Sequence, residues 1–437
     1  MHPSAEELNA SIAKVNSNVL EMLSDYGKNS YFPSLGIMAQ AGEAKKKAHK
    51  YNATIGIATE NGAAMHLGCI KDMIPDLSPG EIFTYAPSSG VPALREAWFD
   101  KMRKENPTLG DHQTSQPLVT NALTHGLSIV GELFLDRGDK IVVPGHFWEN
   151  YELLYSTKLG AEFATYDLYN DAGRFNVDGF KETLIAALKE KGKVVTILNF
   201  PNNPTGYSLY KDEAPLIADA IKEASSFGKI VAVTDDAYFS LFFEDNMLEE
   251  SLFGHIANLD ENVLAIKVDG ATKEEFVWGL RVGFITFSTK SNEDLSGLYK
   301  SLEQKVSGCI RATVSNISNL SQNLVLKALK HSDFEKQKNE KINTMKARAI
   351  ETKRVLDAKE EFNEEWTYYP FNAGYFMCLK LKNLKANELR LKVLNDYGVG
   401  TIALGPTDLR VAFSCLNVDQ IEDVFDCIFK AAKDLSK

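Results

Sequence analysis

The stretch Val194-Val195-Thr196-Ile197-Leu198-Asn199-Phe200-Pro201-Asn202-Asn203-Pro204-Thr205-Gly206 runs from a short apolar segment straight into a dense loop of turn formers. A β-branched run of this length, closed by Asn and Pro, reads as a buried strand followed by a turn. The same grammar recurs on either side. Residues 141–143 precede Pro144, residues 230–233 precede Thr234, residues 263–268 precede Asp269, and residues 282–287 form a further apolar run. Helical stretches long enough to cross over separate these runs. That alternation is the signature of an α/β domain whose mostly parallel sheet is covered by helices on both faces.

Outward from this core the rhythm changes. Residues 333–359 form a Lys/Glu-rich helical segment, followed by shorter runs at 371–381 and 408–414 and a last helix with Ile421, Val424, Phe425, Ile428 and Phe429 on one face. This predicts a smaller α+β domain, completed by the N-terminal segment. There, Leu8, Ile12, Val15, Val19 and Leu23 recur at helical spacing and suggest an arm. The expected division is an arm with part of the small domain at 1–80, a large domain at 81–330 and the rest of the small domain at 331–437.

Composition bounds the function. The chain has 437 residues, 44% hydrophobic and 24% charged, with a net charge of -11, which argues against a basic nucleic-acid-binding face. Cys69, Cys309, Cys378, Cys415 and Cys427 are scattered singly without metal-ligand spacing, so no metal is expected and a reduced, cytoplasmic location fits. No secretory leader and no run of 18 apolar residues is visible, so no membrane segment is expected.

In parallel α/β sheets ligands gather beyond the carboxyl ends of the strands, so the residues just after each apolar run carry most information. Asn121-Ala122-Leu123-Thr124-His125-Gly126 opens a helix with apolar face Leu127, Val130 and Phe134, expected to stop at Gly138. Its start could hold a phosphate on free N–H groups and the Thr124 hydroxyl, or be an ordinary cap. The Asn199–Gly206 loop could use its amides on its own turn or on a ligand. Asp235-Asp236-Ala237-Tyr238 offers a carboxylate and a phenol at a strand end, although such an acid is often only a helix cap. In Gly270-Ala271-Thr272-Lys273, the lysine stands after a buried strand, with Arg281 in Gly279-Leu280-Arg281-Val282-Gly283 eight residues later. A lysine is usually a surface charge; that position and the nearby anion-binding arginine set this one apart.

Taken together and in this order, Asn-Pro-Thr-Gly, Asp-x-Ala-Tyr and the Lys-to-Arg spacing resemble the class I/II aminotransferases, over about residues 83–413. The resemblance implies the fold type I of the pyridoxal-5'-phosphate (PLP) transferases. It implies that Lys273 is the Schiff-base lysine and that Asp235, rather than Asp236, partners the pyridinium nitrogen. Asn203 and Tyr238 would bind the phenolic oxygen. Leu123 and Thr124 with Arg281 would hold the phosphate. Trp148, or alternatively Phe147, would stack on the ring. Tyr85 would reach a neighbouring subunit's phosphate, which implies a homodimer with sites at the interface. Arg410 would fork onto the substrate α-carboxylate, with Asn203 beside it. Arg311 either reads a side-chain carboxylate across the dimer or makes an ordinary salt bridge. Two departures concern the phosphate: Gly270 stands where the family often has Ser, with Thr272 as a substitute, and Ala122 stands where a Gly is usual.

The implied activity is ping-pong transfer of an amino group from an L-amino acid, aspartate or glutamate among the candidates, to a 2-oxo acid. A PLP-dependent C–S lyase or decarboxylase would share the same lysine, aspartate and phosphate site. A non-catalytic PLP-sensing module would carry an appended DNA-binding domain, for which the short acidic N-terminal segment leaves no room. No GxGxxG follows a strand, which disfavours a nicotinamide enzyme.

Overall fold

A computed structural model describes residues 37–437 apart from Ile55 and Asn61, together with a few isolated positions before residue 37. The stretch from Leu8 to Leu23, on which an amphipathic helix is expected, falls almost entirely outside the described residues.

A helix α1 (Ile37–Lys47) precedes a seven-stranded sheet. Its strands in chain order are β1 (Leu118–Asn121), β2 (Lys140–Pro144), β3 (Glu162–Tyr166), β4 (Lys193–Asn199), β5 (Lys229–Asp235), β6 (Val263–Gly270) and β7 (Val282–Thr289). Their spatial order is β1-β7-β6-β5-β4-β2-β3. The five strands β2 to β6 run parallel, while β7 is antiparallel to both β6 and β1. The sheet is therefore mixed and mostly parallel, as the apolar runs suggest.

Both faces are buried, which is why these strands read as continuous apolar runs rather than as alternations. Successive residues nevertheless point to opposite cores. Ile141 and Val143, Val231 and Val233 join one cluster, whereas Val142, Ile230 and Ala232 join the other. Helix α2 (Ala122–Phe134) covers the first face, through Leu127 and Val130, and α3 (Val177–Lys191) and α4 (Glu213–Ala224) cover the second, through Phe180, Leu184, Ile217 and Ile221. The α2 helix ends at Phe134, short of the expected Gly138. Gly138 instead sits at φ +83° in the turn that leads into β2, where its N–H bonds Gly160 O.

A four-stranded antiparallel sheet follows, with order β8 (Trp366–Tyr368), β9 (Met377–Leu381), β11 (Asp408–Val411) and β10 (Ile402–Leu404). The long helix α5 (Phe334–Ala358) and the terminal α6 (Ile421–Leu435) accompany it. The run at 371–381 is a strand only from Met377 onward. Residues 372–374 instead bond Gly206 O and Leu241 O, tying this sheet to the loop after β4. Tyr51–Asn52 pairs in parallel with Val399–Gly400 as a separate two-stranded sheet beside the four-stranded one, which brings an early segment against the later part of the chain. No helix among the described residues is long and apolar enough to cross a membrane.

Candidate active site

The carboxyl ends of β4, β5 and β6 lie along one edge of the large sheet, with Asn199 and Asp235 paired in register. Because β7 is antiparallel, its first residues come to that same edge: Val282 pairs with Asn121, and Gly283 with both Thr120 and Gly270. The crowding there dictates glycine. A Cβ on Gly270 would stand 2.7 Å from Gly283 Cα and from Val282 O, and one on Gly283 would stand 2.7 Å from Ala122 C. Position 270 therefore cannot host the serine common in the resembled family unless the backbone moves. Ala122 takes the other consequence of this packing, a left-handed φ of +60°, and its N–H bonds Arg281 O at 3.1 Å.

A cavity of about 420 Å³ opens at this edge, lined among others by Leu123, Thr124, Trp148, Asn203, Asp235, Tyr238, Lys273 and Arg410. Asp235 is buried at its floor. Its carboxylate accepts from Tyr151 Oη at 2.5 Å and from Ala237 N at 3.2 Å, while Asn199 Nδ2 donates to its backbone carbonyl at 2.8 Å. Burial pushes the Asp235 carboxyl up to about 6, against the Tyr151 hydrogen bond and the Lys273 charge, which favour the ionised form. Asp236 points elsewhere. It is held by Lys267 at 2.8 Å and by the Ser251 hydroxyl at 2.6 Å, in a buried network with Asp269 and Trp98.

Lys273 follows β6 on a single helical turn, Ala271–Glu274. Its Nζ lies 4.5 Å from the centre of the Tyr238 ring. Burial lowers this amine to about 8; Asp235 opposes the shift and Arg281 adds to it. Burial likewise raises the Tyr238 phenol. The preceding Thr272 is buried, its hydroxyl has no hydrogen-bond partner among the described residues, and it does not line the cavity.

Arg410 enters from β11 and is 2% exposed. It donates to Asn203 Oδ1 at 2.9 Å and to Thr54 O at 3.4 Å, lies 4.1 Å from the Phe376 ring centre, and keeps a buried Nε without a partner among the described residues. No carboxylate pairs with it among the described residues. Burial accordingly lowers its pKa. Of the two candidate stacking rings, Trp148 lines the cavity, whereas Phe147 packs on Phe163 with centroids 5.1 Å apart.

Three further candidates do not line this cavity. Arg281 is exposed in the left-handed region (φ +54°) and donates to Trp278 O. Tyr85 is 89% exposed. Arg311 is exposed on the helix Ser296–Thr313 and bonds the Ser315 hydroxyl. Conversely, the motifs alone do not single out Tyr151, Thr54, Phe376 or the α1 residues Ile37, Ala41 and Lys45 that complete the site. Tyr151 lies three residues beyond Trp148, but only its contact with Asp235 distinguishes it from a core aromatic.

Residues 54–428 match the family model described as aminotransferase class I and II. A probable aspartate/prephenate aminotransferase of Aquifex aeolicus is 25% identical over 350 residues, 78% of this chain and 81% of that protein. An aspartate aminotransferase of a Bacillus species is 28% identical over 202 residues, 46% of this chain and 47% of that protein. The crystal structure of an aminotransferase from Anaerococcus prevotii superposes with a TM-score of 0.81 at 23% identity, covering 94% of this chain and 99% of that one.

Proposed function

Because this chain belongs to the class I and II aminotransferases, which are PLP-dependent, we propose that it moves an amino group from a dicarboxylic L-amino acid, aspartate or glutamate, to a 2-oxo acid in ping-pong fashion. The observation supporting this reading is the convergence of a lysine, a buried acid and a buried, acid-free arginine on one cavity.

The donor set fits a phosphorylated pyridine. An aromatic wall at Trp148 suits a flat ring, and buried Asp235 suits a ring nitrogen that carries a proton. The first-turn N–H groups at Leu123 and Thr124 suit a phosphate. When bound, the cofactor supplies an electron-withdrawing ring that stabilises negative charge at the substrate Cα.

In this reading Asp235, steadied by Tyr151, holds the proton at the ring nitrogen. Asn203 and Tyr238 bind the ring's phenolic oxygen, while Arg281, Thr124 and the backbone of Leu123 hold the phosphate. Thr272 is the weakest of the phosphate assignments, because it lies off the cavity wall. Arg410 binds the substrate α-carboxylate, and its contact with Asn203 couples substrate and cofactor sites. Lys273, whose lowered pKa keeps part of it neutral near pH 7, removes the proton from Cα. Residues 81–330 would hold the cofactor, and residues 331–437 with part of 1–80 would supply Arg410. Exposed Tyr85 and Arg311 would act in the site of a second copy, which makes the working unit a homodimer, and the singly scattered cysteines suit a reduced, cytoplasmic location.

The test is product analysis of the PLP-loaded protein with aspartate and 2-oxoglutarate. Equal amounts of oxaloacetate and glutamate are expected. Release of ammonia, sulfide or carbon dioxide from a panel of amino acids, without exchange, would replace the transferase reading by a lyase or decarboxylase.

A further inference from the structure

Helix α1 presents Ile37, Ala41 and Lys45 to the cavity, a stripe at spacings of four. Other α1 residues fix which way that stripe faces. The Gln40 amide clamps Ala403 twice, donating to its O at 3.0 Å and accepting from its N at 2.8 Å, and Glu43 holds Arg390 at 2.8 Å. Ala403 lies on β10, which pairs directly with β11: Ala403 faces Leu409, and Ile402 faces Arg410. The backbones that carry Lys45 and Arg410 are thus tied to each other through β10, so a substrate bridging the two side chains spans elements that are held together.

The charge balance of the cavity adds a second argument. Among the described residues that line it, the cationic side chains are Lys45, Lys273 and Arg410 and the carboxylate is Asp235, already engaged by Tyr151, while Glu149 accepts from Ile37 N at the start of α1 at 3.3 Å. Lys47 is paired with Glu43 at 3.0 Å, but Lys45 makes no ion pair or hydrogen bond among the described residues. With Lys273 assigned to the Cα proton and Arg410 to the α-carboxylate, Lys45 is the remaining lining cation without an assigned anion, and a second carboxylate on the substrate would match it. Ile37 and Ala41 supply an apolar wall for the methylene groups in between.

We infer that Lys45 is a specificity-determining residue that reads the side-chain carboxylate of the amino donor, a role that does not need Arg311. The inference rests on the dicarboxylate reading above. A lysine, a compact charge on a flexible stem, would accept both chain lengths of a dicarboxylic amino acid where a rigid guanidinium fork would select one.

The test compares the PLP-loaded protein with its Lys45→Gln, Lys45→Arg and Arg311→Gln variants. The readouts are kcat/KM for aspartate, glutamate and alanine, and calorimetric binding of succinate, a dicarboxylate that cannot react. In Lys45→Gln the aspartate-to-alanine ratio of kcat/KM should fall about fivefold, as expected for one partly solvated charge contact, with the loss in KM and with weakened succinate binding. Lys45→Arg should restore most of it. An unchanged ratio and unchanged succinate affinity in Lys45→Gln overturn the inference, as does a loss confined to Arg311→Gln. If the unsubstituted enzyme neither turns over aspartate or glutamate nor binds succinate, the substrate reading itself fails, before any variant is considered.

Discussion

The phenol of Tyr151 donates to the carboxylate of Asp235 at 2.5 Å, and both groups are buried. This contact opposes the effect of burial on the acid in the cavity. Burial alone favours the neutral acid; the hydrogen bond favours the anion that a protonated ring nitrogen requires. Tyr151→Phe removes the donor and little volume, so the Asp235 pKa should rise further. The acid limb of kcat/KM should then move up by about one pH unit, with a larger loss at pH 6 than at pH 8. A pH profile superimposable on that of the unsubstituted enzyme would show that the bond does not tune the acid.

Lys273 gives a prediction for stability as well as turnover. Lys273→Ala should abolish transamination while leaving the circular dichroism spectrum intact. In the cofactor-free protein the amine titrates near 8, against 10.5 for an ordinary lysine. The unfolded chain therefore binds the extra proton between these values, so the folded state gains stability as pH rises from about 8 to 10.5 and carries the full penalty below 8. Lys273→Met should be more stable than the unsubstituted protein at pH 7 by on the order of 3 kcal/mol, and the gap should narrow by pH 9.5. Parallel denaturation curves at the two pH values would measure it.

The crowded backbone where β6 ends and β7 starts makes an opposite pair of predictions. Gly270→Ser places a Cβ 2.7 Å from Gly283 Cα and Val282 O, so it should cost about 1–3 kcal/mol of stability and weaken PLP binding, although it installs the residue common in the family. Ala122→Gly removes a left-handed alanine and should stabilise by about 1 kcal/mol. Thermal denaturation of the cofactor-free proteins measures both.

Arg410→Lys keeps the charge but loses the planar fork and the bond to Asn203. With aspartate, kcat/KM should fall about a hundredfold, the cost of a charge-assisted hydrogen-bond pair. A loss below fivefold would mean that Arg410 does not hold the α-carboxylate.

Much of this was legible in the chain. The apolar runs at 141–143, 194–198, 230–233, 263–268 and 282–287 mark strands because a strand buried on both faces needs only apolar, β-branched residues, a local property. The turn formers after them mark the ligand edge, so Asp235, Lys273 and the Asn199–Gly206 loop stood out as candidates by position, and the resemblance to the family supplied their roles. The choice of Asp235 over Asp236 came from motif spacing, and the structure supplies a physical reason: Lys267 and Ser251 occupy Asp236.

Other features depended on the path of the whole chain. Arg410 meets Asn203 across 207 positions, and α1 meets β10 through Gln40 and Ala403 across 363. No local pattern encodes such contacts; they follow from how the second sheet docks against the first. The antiparallel direction of β7 decides that Arg281 begins at the ligand edge, and packing decides that Trp148, not Phe147, faces the cavity. Sequence alone determined which residue types stand at strand ends, because hydrophobic periodicity and turn chemistry act over a few residues. Only the tertiary structure decided which of them share a cavity, because burial, desolvation and charge pairing depend on distances in space that are unrelated to separation along the chain.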